Sequence, residues 1–237
     1  AVYSQDRAKG NVMKVESTNR LVKGPAFAKA SARLDLSQAW PAYRNGSARS
    51  GFTKSPVSGN LKPSWKVTLP SLPTATTVVG DLVFVAARDN HILYALSRSD
   101  GSTKWTYTAG CRIDSPPTYH QGFLIFGSRD GWVHCLRASD GVLSWKYSDL
   151  PTQRLISADG RLESAWPISG AVMIRDELAY FCAGRNSFLD GGVVVYALNP
   201  LTGNVVHRRQ VNGPYRKNGF PVVGKRNTRL EGFKGGI

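Results

Sequence analysis

A chain of 237 residues is long enough to bury a sizeable core, and 41% hydrophobic with 10% aromatic residues excludes a disordered polymer. No apolar run approaches the roughly 18–20 residues a membrane-spanning helix needs. The formal net charge of +15 is the compositional anomaly, and it bears on partners rather than on fold.

Residues 1–38 carry Arg7, Lys9, Lys14, Arg20, Lys23, Lys29 and Arg33 without sustained strand alternation, and read as a basic linker or extension. Ala1 stands where a Met would be expected and no signal pattern follows, which reads as a processed or excised piece. The folded region, 39–210, opens with Trp40-Pro41-Ala42-Tyr43-Arg44 and continues through Leu61-Lys62-Pro63-Ser64-Trp65.

Alternating apolar runs separated by Gly-containing turns then predict antiparallel strands. The first set covers Thr76–Val79, Leu82–Ala87, His91–Leu96 and Ser102–Tyr107. The second covers Pro117–His120, Phe123–Ser128, Trp132–Leu136 and Val142–Tyr147. The third covers Ala171–Ile174, Leu178–Ala183, Val193–Leu198 and Asn204–His207, with a polar loop at 149–165 and a lengthened hairpin at 184–192. Residues 211–237 form a basic segment, either a linker or the start of a further blade.

Trp65, Trp105 and Trp145 recur at 40-residue intervals, each closing a similar segment. A period of about 40 residues built from short strands marks a β-propeller blade. The fold class is therefore all-β: four-stranded antiparallel blades, about three of them. Because a ring needs about four blades to close, the propeller is expected to be incomplete.

The blade ends share one pattern. Ala95-Leu96 leads to Gly101 and Trp105, Cys135-Leu136 to Gly141 and Trp145, and Ala197-Leu198 to Gly203 and His207. This resembles the tryptophan-docking repeat of pyrroloquinoline-quinone-like propellers, a superfamily of quinoprotein dehydrogenases and a propeller lipoprotein of the outer-membrane assembly machinery. The resemblance runs from about Trp40 to Arg208, and the opening Trp40-Pro41, Leu162-to-Pro167 and Ala183-to-Gly192 are similar to bacterial members of it. It implies that Trp65, Trp105 and Trp145 dock on an adjoining blade's turn, with weaker or absent docking at His207. It also implies a location in the cell envelope or periplasm.

A quinone-dependent dehydrogenase of this superfamily would offer adjacent cysteines, carboxylates for calcium and an Asp base. Here Cys111, Cys135 and Cys182 are scattered, and all three read as structural thiols. Acidic candidates are Asp89, Asp114, Asp130, Glu163 and Asp190, but Asp100, Asp130 and Asp140 occupy turn positions where Asp serves the backbone. His91, His120, His134 and His207 show no metal-ligand spacing, and no phosphate-binding loop or nucleophile elbow occurs. Arg112 and Asp114 beside Cys111 read as a structural polar group on an inter-blade turn.

No catalytic residue, metal site or cofactor is therefore expected, with pyrroloquinoline quinone and calcium as the alternative. Long loops often carry binding, so Glu163, Trp166, Arg185 and Asp190 in the third-blade insertions are the candidate binding residues. The expected function is a non-catalytic binding or scaffold module, partnered by a protein or by the remainder of a longer chain. The alternatives are a dehydrogenase segment, and nucleic-acid or anionic-surface binding through the basic ends.

Overall fold

A computed structural model of the chain describes residues 20–29, 33–150 and 154–213. Within them the architecture is three antiparallel sheets arranged as consecutive blades. The first blade orders β2 (Thr77–Val79), β3 (Leu82–Ala87), β4 (Ile92–Ser97) and β5 (Thr103–Thr108) from its inner to its outer edge. The second repeats this with β6 (Thr118–His120), β7 (Phe123–Gly127), β8 (Val133–Arg137) and β9 (Leu143–Tyr147). The third has β12 (Met173–Arg175), β13 (Leu178–Ala183), β14 (Val193–Leu198) and β15 (Val205–Val211). No helix among the described residues is long and apolar enough to cross a membrane.

All twelve predicted blade strands form, most with ends shifted by one or two residues. The largest change is β15, which runs on to Val211 instead of stopping at His207. Three elements were not foreseen. Leu21–Lys23 forms β1 and pairs with β9 as a fifth strand of the second blade, within the stretch read as a linker. Leu155–Ala158 and Arg161–Ser164 form the hairpin ribbon β10–β11 inside the stretch read as a polar loop.

The blades interlock by a repeated rule. In each sheet the outer-strand residue at the docking position lies opposite a small buried residue: Trp105 opposite Ala95, Trp145 opposite Cys135 and His207 opposite Ala197. Directly after that pair each ladder shifts register, between Ala95/Leu96, Cys135/Leu136 and Ala197/Leu198. Such an irregularity increases local twist, and here it recurs at the same place in every blade.

Each Trp docks on the blade that follows it. Trp65 Nε1 donates to Arg98 O at 2.9 Å, Trp105 to Ala138 O at 3.2 Å and Trp145 to Pro200 O at 3.1 Å. The rings lie over Gly101, Gly141 and Gly203, where a Cβ would come within 2.6, 2.5 and 2.8 Å of Trp65, Trp105 and Trp145 respectively. These glycines hold φ of +73°, +72° and +71°, so both the turn and the ring exclude a side chain.

Apolar faces then meet between blades. Phe123, Ile125, Val133, Cys135 and Trp145 pack against Phe181, Val194, Tyr196 and Leu198. Along the inner edge Thr77 Oγ1 donates to Pro117 O and Thr118 Oγ1 to Val172 O, each at 2.5 Å. Both threonines are buried, and each ties its blade to the next.

The described part of the basic extension acts as a strap. Beyond β1 it crosses the first blade, where Gly80 N donates to Asp35 O at 3.0 Å. It then runs along the inner edges: Trp40 exchanges hydrogen bonds with Val78, Tyr119 N donates to Pro41 O at 2.8 Å, and Arg49 Nη2 donates to Ala171 O at 3.1 Å. Inner-strand edges otherwise present unpaired backbone, and the strap satisfies part of it.

Candidate functional site

The hairpins joining the second and third strands of each blade, together with the links between blades, share one face. Arg88 and Arg129 occupy the same position of that hairpin in the first two blades, two residues after Ala86 and Gly127, while in the third blade Gly184 stands at that position and Arg185 follows it. Strand geometry thus brings three guanidinium groups to the same rim.

Asp114, on the link between the first and second blades, receives Arg88 Nη2 at 3.0 Å, Arg112 Nη2 at 3.3 Å and Arg129 Nε. Its side chain is 8% exposed. Burial opposes its ionisation, but hydrogen bonds from Arg129 and Arg88 and the nearby guanidinium charges outweigh this and hold its pKa below the ordinary carboxylate value. Arg129 also donates through Nη1 to Glu163 Oε2 at 2.6 Å. Burial works against the Arg129 charge, yet the two carboxylates push its pKa up. Asp89 completes the group, meeting Arg112 Nε at 3.1 Å and Arg161 Nη1 at 2.9 Å.

These pairs pin the β10–β11 ribbon across the first two blades. Arg161 reaches Asp89 of the first blade, Glu163 holds Arg129 of the second, and Ser164 N donates to Arg129 O at 2.9 Å. Cys111 Sγ lies 3.5 Å from Leu162 O beneath the ribbon, and burial pushes this thiol's pKa up. On the other side Asp190 receives Arg185 Nη2 at 2.7 Å and also pairs with Arg154, which leads into the ribbon.

The four sequence-derived binding residues therefore separate. Arg185 and Asp190 form one ion pair. Glu163 belongs to the neighbouring cluster around Arg129. Trp166 lies in the core between the second and third blades, 5% exposed, and its Nε1 finds no hydrogen-bond partner among the described residues. Arg88, Arg129, Arg154 and Arg161 were missed, although the hairpin arginine recurs in the first two repeats and could have been found there.

One face of the ribbon exposes two leucines among serines. Register puts Leu155 opposite Ser164 and Leu162 opposite Ser157, so both leucines share a face, and they are 59% and 67% exposed. Leu189, beside Asp190, is 43% exposed. A separate cavity of about 180 Å³ lies under the strap, lined by Pro41, Tyr43, Arg49, Thr118, Tyr119 and Ile174 among others.

Elsewhere, Tyr107 Oη meets His134 Nδ1 at 3.0 Å, and His134 Nε2 lies 3.8 Å from Asp130. Asp130 also accepts from Gly110 N at 3.1 Å and Trp132 N at 3.0 Å, as its turn position implied. His134 is 3% exposed and stacks on Phe126, so this chain of groups is a strut between the first two blades. Among the described residues no group of three or more His, Cys, Asp or Glu is placed to hold a metal ion.

Comparison with known proteins gives this architecture its relatives. A 125-residue stretch is 30% identical to the DNA damage-responsive serine/threonine-protein kinase RqkA of Deinococcus radiodurans, covering 50% of this chain and 18% of that protein. Outer membrane protein assembly factor BamB of Moranella endobia is 29% identical over 107 residues, covering 43% of this chain and 26% of that protein. Among solved structures, quinohemoprotein alcohol dehydrogenase from Comamonas testosteroni superposes with a TM-score of 0.56 at 16% identity, over 73% of this chain and 27% of that one. The chain thus spans about a quarter or less of the length of each, and the last comparison speaks to the fold alone. The family model described as outer membrane protein assembly factor BamB matches residues 60–230, which is most of the chain. With its docking tryptophans, recurrent glycines and four-stranded blades, this chain belongs to the BamB-type family of pyrroloquinoline-quinone-like β-propeller repeats.

Proposed function

We propose that this chain is a non-catalytic binding or scaffold module whose hairpin face receives a protein partner. One observation carries the reading: the acids of that face are bound by arginines, the ribbon they hold displays Leu155 and Leu162, and the neighbouring hairpin exposes Leu189. A rigid apolar patch with a charged rim is what a protein interface requires. Arg154 and Arg161 at its border keep 49% and 43% of their side-chain surface exposed.

The residues described do not fit pyrroloquinoline quinone with calcium. Cys111, Cys135 and Cys182 are buried free thiols and none is adjacent to another. Asp114, Glu163 and Asp190, the carboxylates nearest the face, already have guanidinium partners. Binding through the basic ends concerns residues 1–38 and 211–237, of which 1–19, 30–32 and 214–237 lie outside the described residues. Within them, Arg20 and Arg208 both meet Asp149, each at 2.8 Å, so part of that basic charge is structural.

The test has two arms. Pyrroloquinoline quinone is titrated with calcium against tryptophan fluorescence, with no saturable quenching expected. A photo-reactive residue at position 162 is then irradiated in cells, and a discrete protein adduct is expected that Leu155→Asp abolishes. Calcium-dependent saturation in the first arm, or no adduct in the second, would overturn the reading. Steeply salt-dependent capture of a DNA oligonucleotide would instead favour the basic ends.

A further inference from the structure

Six arginines of the described residues are half-buried: Arg49, Arg88, Arg112, Arg129, Arg137 and Arg185. Five of them meet a carboxylate, Arg88, Arg112 and Arg129 at Asp114, Arg137 at Asp140 and Arg185 at Asp190. Arg49 has no carboxylate partner among the described residues. Its Nη2 donates to Ala171 O at 3.1 Å, and its guanidinium carbon lies 5.7 Å from the centre of the Tyr43 ring. That contact uses one of the five N–H donors a guanidinium carries.

Arg49 also lines the cavity of about 180 Å³ between the strap and strands β6 and β12. Tyr43, Val172, Met173 and Ile174 give that cavity apolar walls, and no acidic side chain lines it. Ser47 adds a hydroxyl with no partner among the described residues. The loop that carries Arg49 holds an unfavourable shape. Arg44, Asn45 and Arg49 have φ of +53°, +60° and +48°, a region that disfavours L-residues. Gly51 N donating to Arg44 O at 2.9 Å and Asn45 Nδ2 donating to Phe52 O at 2.5 Å close the loop. Backbone held in this way gathers at ligand sites.

We infer that this cavity is a binding site for a small monocarboxylic acid with an apolar body of one ring. The Arg49 guanidinium keeps four N–H donors for the carboxylate, enough for the two-pronged pairing that arginine makes best. Half-buried, such a pair is screened less than one in open water. The walls suit a ring, and the size agrees: a dry cavity of about 150 Å³ takes up benzene, and this one is slightly larger. Pyrroloquinoline quinone, three fused rings bearing three carboxylates, exceeds that space, and Arg49 is the sole cation among the lining residues to meet its charges. The site shares no residue with the ion clusters of the hairpin face, so it stands whether or not that face receives a protein.

The experiment titrates 4-fluorobenzoate against the full chain and follows fluorine line width by NMR, with 4-fluorobenzamide as the neutral twin. The acid should bind saturably with a Kd of about 1 mM or below, and the amide at least tenfold more weakly. Arg49→Met should cost at least tenfold in affinity for the acid. Arg44→Met, at an exposed position that does not line the cavity, should change it less than twofold. Ser47→Trp, exposed at the cavity rim, should block entry while leaving Arg49 on Ala171 O, and thermal melts confirm that each variant folds. Should Arg49→Met fail to fold, the acid–amide comparison and Ser47→Trp still decide. No saturation up to about 10 mM, equal binding of acid and amide, or binding that survives Ser47→Trp would each overturn the assignment.

Discussion

Gly141→Ala offers the sharpest test of why glycine ends each docking turn. Two costs are expected, and the protein contains a site that separates them. Gly141 holds φ +72°, and an added Cβ would stand 2.5 Å from Trp105 Cε3. Gly160, at the tip of the ribbon, holds φ +73° with nothing within 4 Å of an added Cβ. Left-handed backbone costs an L-residue about 1–2 kcal/mol. Overpacking a filled site costs about 1–3 kcal/mol more. Gly160→Ala should therefore lose about 1–2 kcal/mol, and Gly141→Ala about 2–5 kcal/mol. With a urea slope near 3 kcal/mol/M, the two midpoints should differ by up to about 1 M. The assay is equilibrium urea unfolding followed by tryptophan fluorescence, repeated in a Trp105→Ala background. There Gly141→Ala should cost only its backbone share, because the ring it strikes is gone. Equal losses for the two glycines, or no coupling to Trp105, would refute the docking explanation.

Other expectations follow from the same contacts. Trp145 is fully buried, so Trp145→Ala should cost about 3–5 kcal/mol, and Trp65→Ala clearly less because its ring is only partly covered; urea midpoints rank the two. Asp114 has a folded pKa below its unfolded value of about 3.9, so its contribution is complete above that value and fades as pH falls through the folded one. Asp114→Asn should therefore lower stability at pH 7 by at most about 3 kcal/mol, and the gap from wild type should narrow towards about pH 2 in pH-resolved thermal melts. Burial raises the Cys111 thiol and takes Cys182 up to about 11, so neither should react with iodoacetamide at pH 8 until urea unfolds the chain. Glu163→Gln removes the anion facing Arg129, and faster amide exchange confined to 155–164 should report a loosened ribbon.

Much of this was legible because blade strands announce themselves locally. Alternation over four to six residues and turn glycines located every blade strand, since side-chain direction in a strand depends only on the next residue. The 40-residue period then set the propeller. The ribbon also had a local signal, the dipeptide Asp159-Gly160, both with positive φ as a tight hairpin turn requires. The polar composition around it, from Thr152 to Arg154 and at Ser157 and Arg161, masks that signal. Strand β1 had no such signal. Three residues, Leu21–Lys23, become a strand only because β9 offers an open outer edge more than 120 positions later in the chain.

The sequence by itself thus determined the all-β class, the blade strands and the docking residues, because each depends on short-range periodicity or on a recurring residue type. Tertiary structure decided what those residues meet. It set Trp105 on Gly141 of the blade that follows, fixing which adjoining turn receives the ring, and made the turn glycine the floor beneath it. It tied Arg129 to both Asp114 and Glu163, dividing the insertion residues between two ion clusters and the core. Such pairings span tens of residues and follow from how twisted sheets fan around an axis, a geometry that no local pattern encodes.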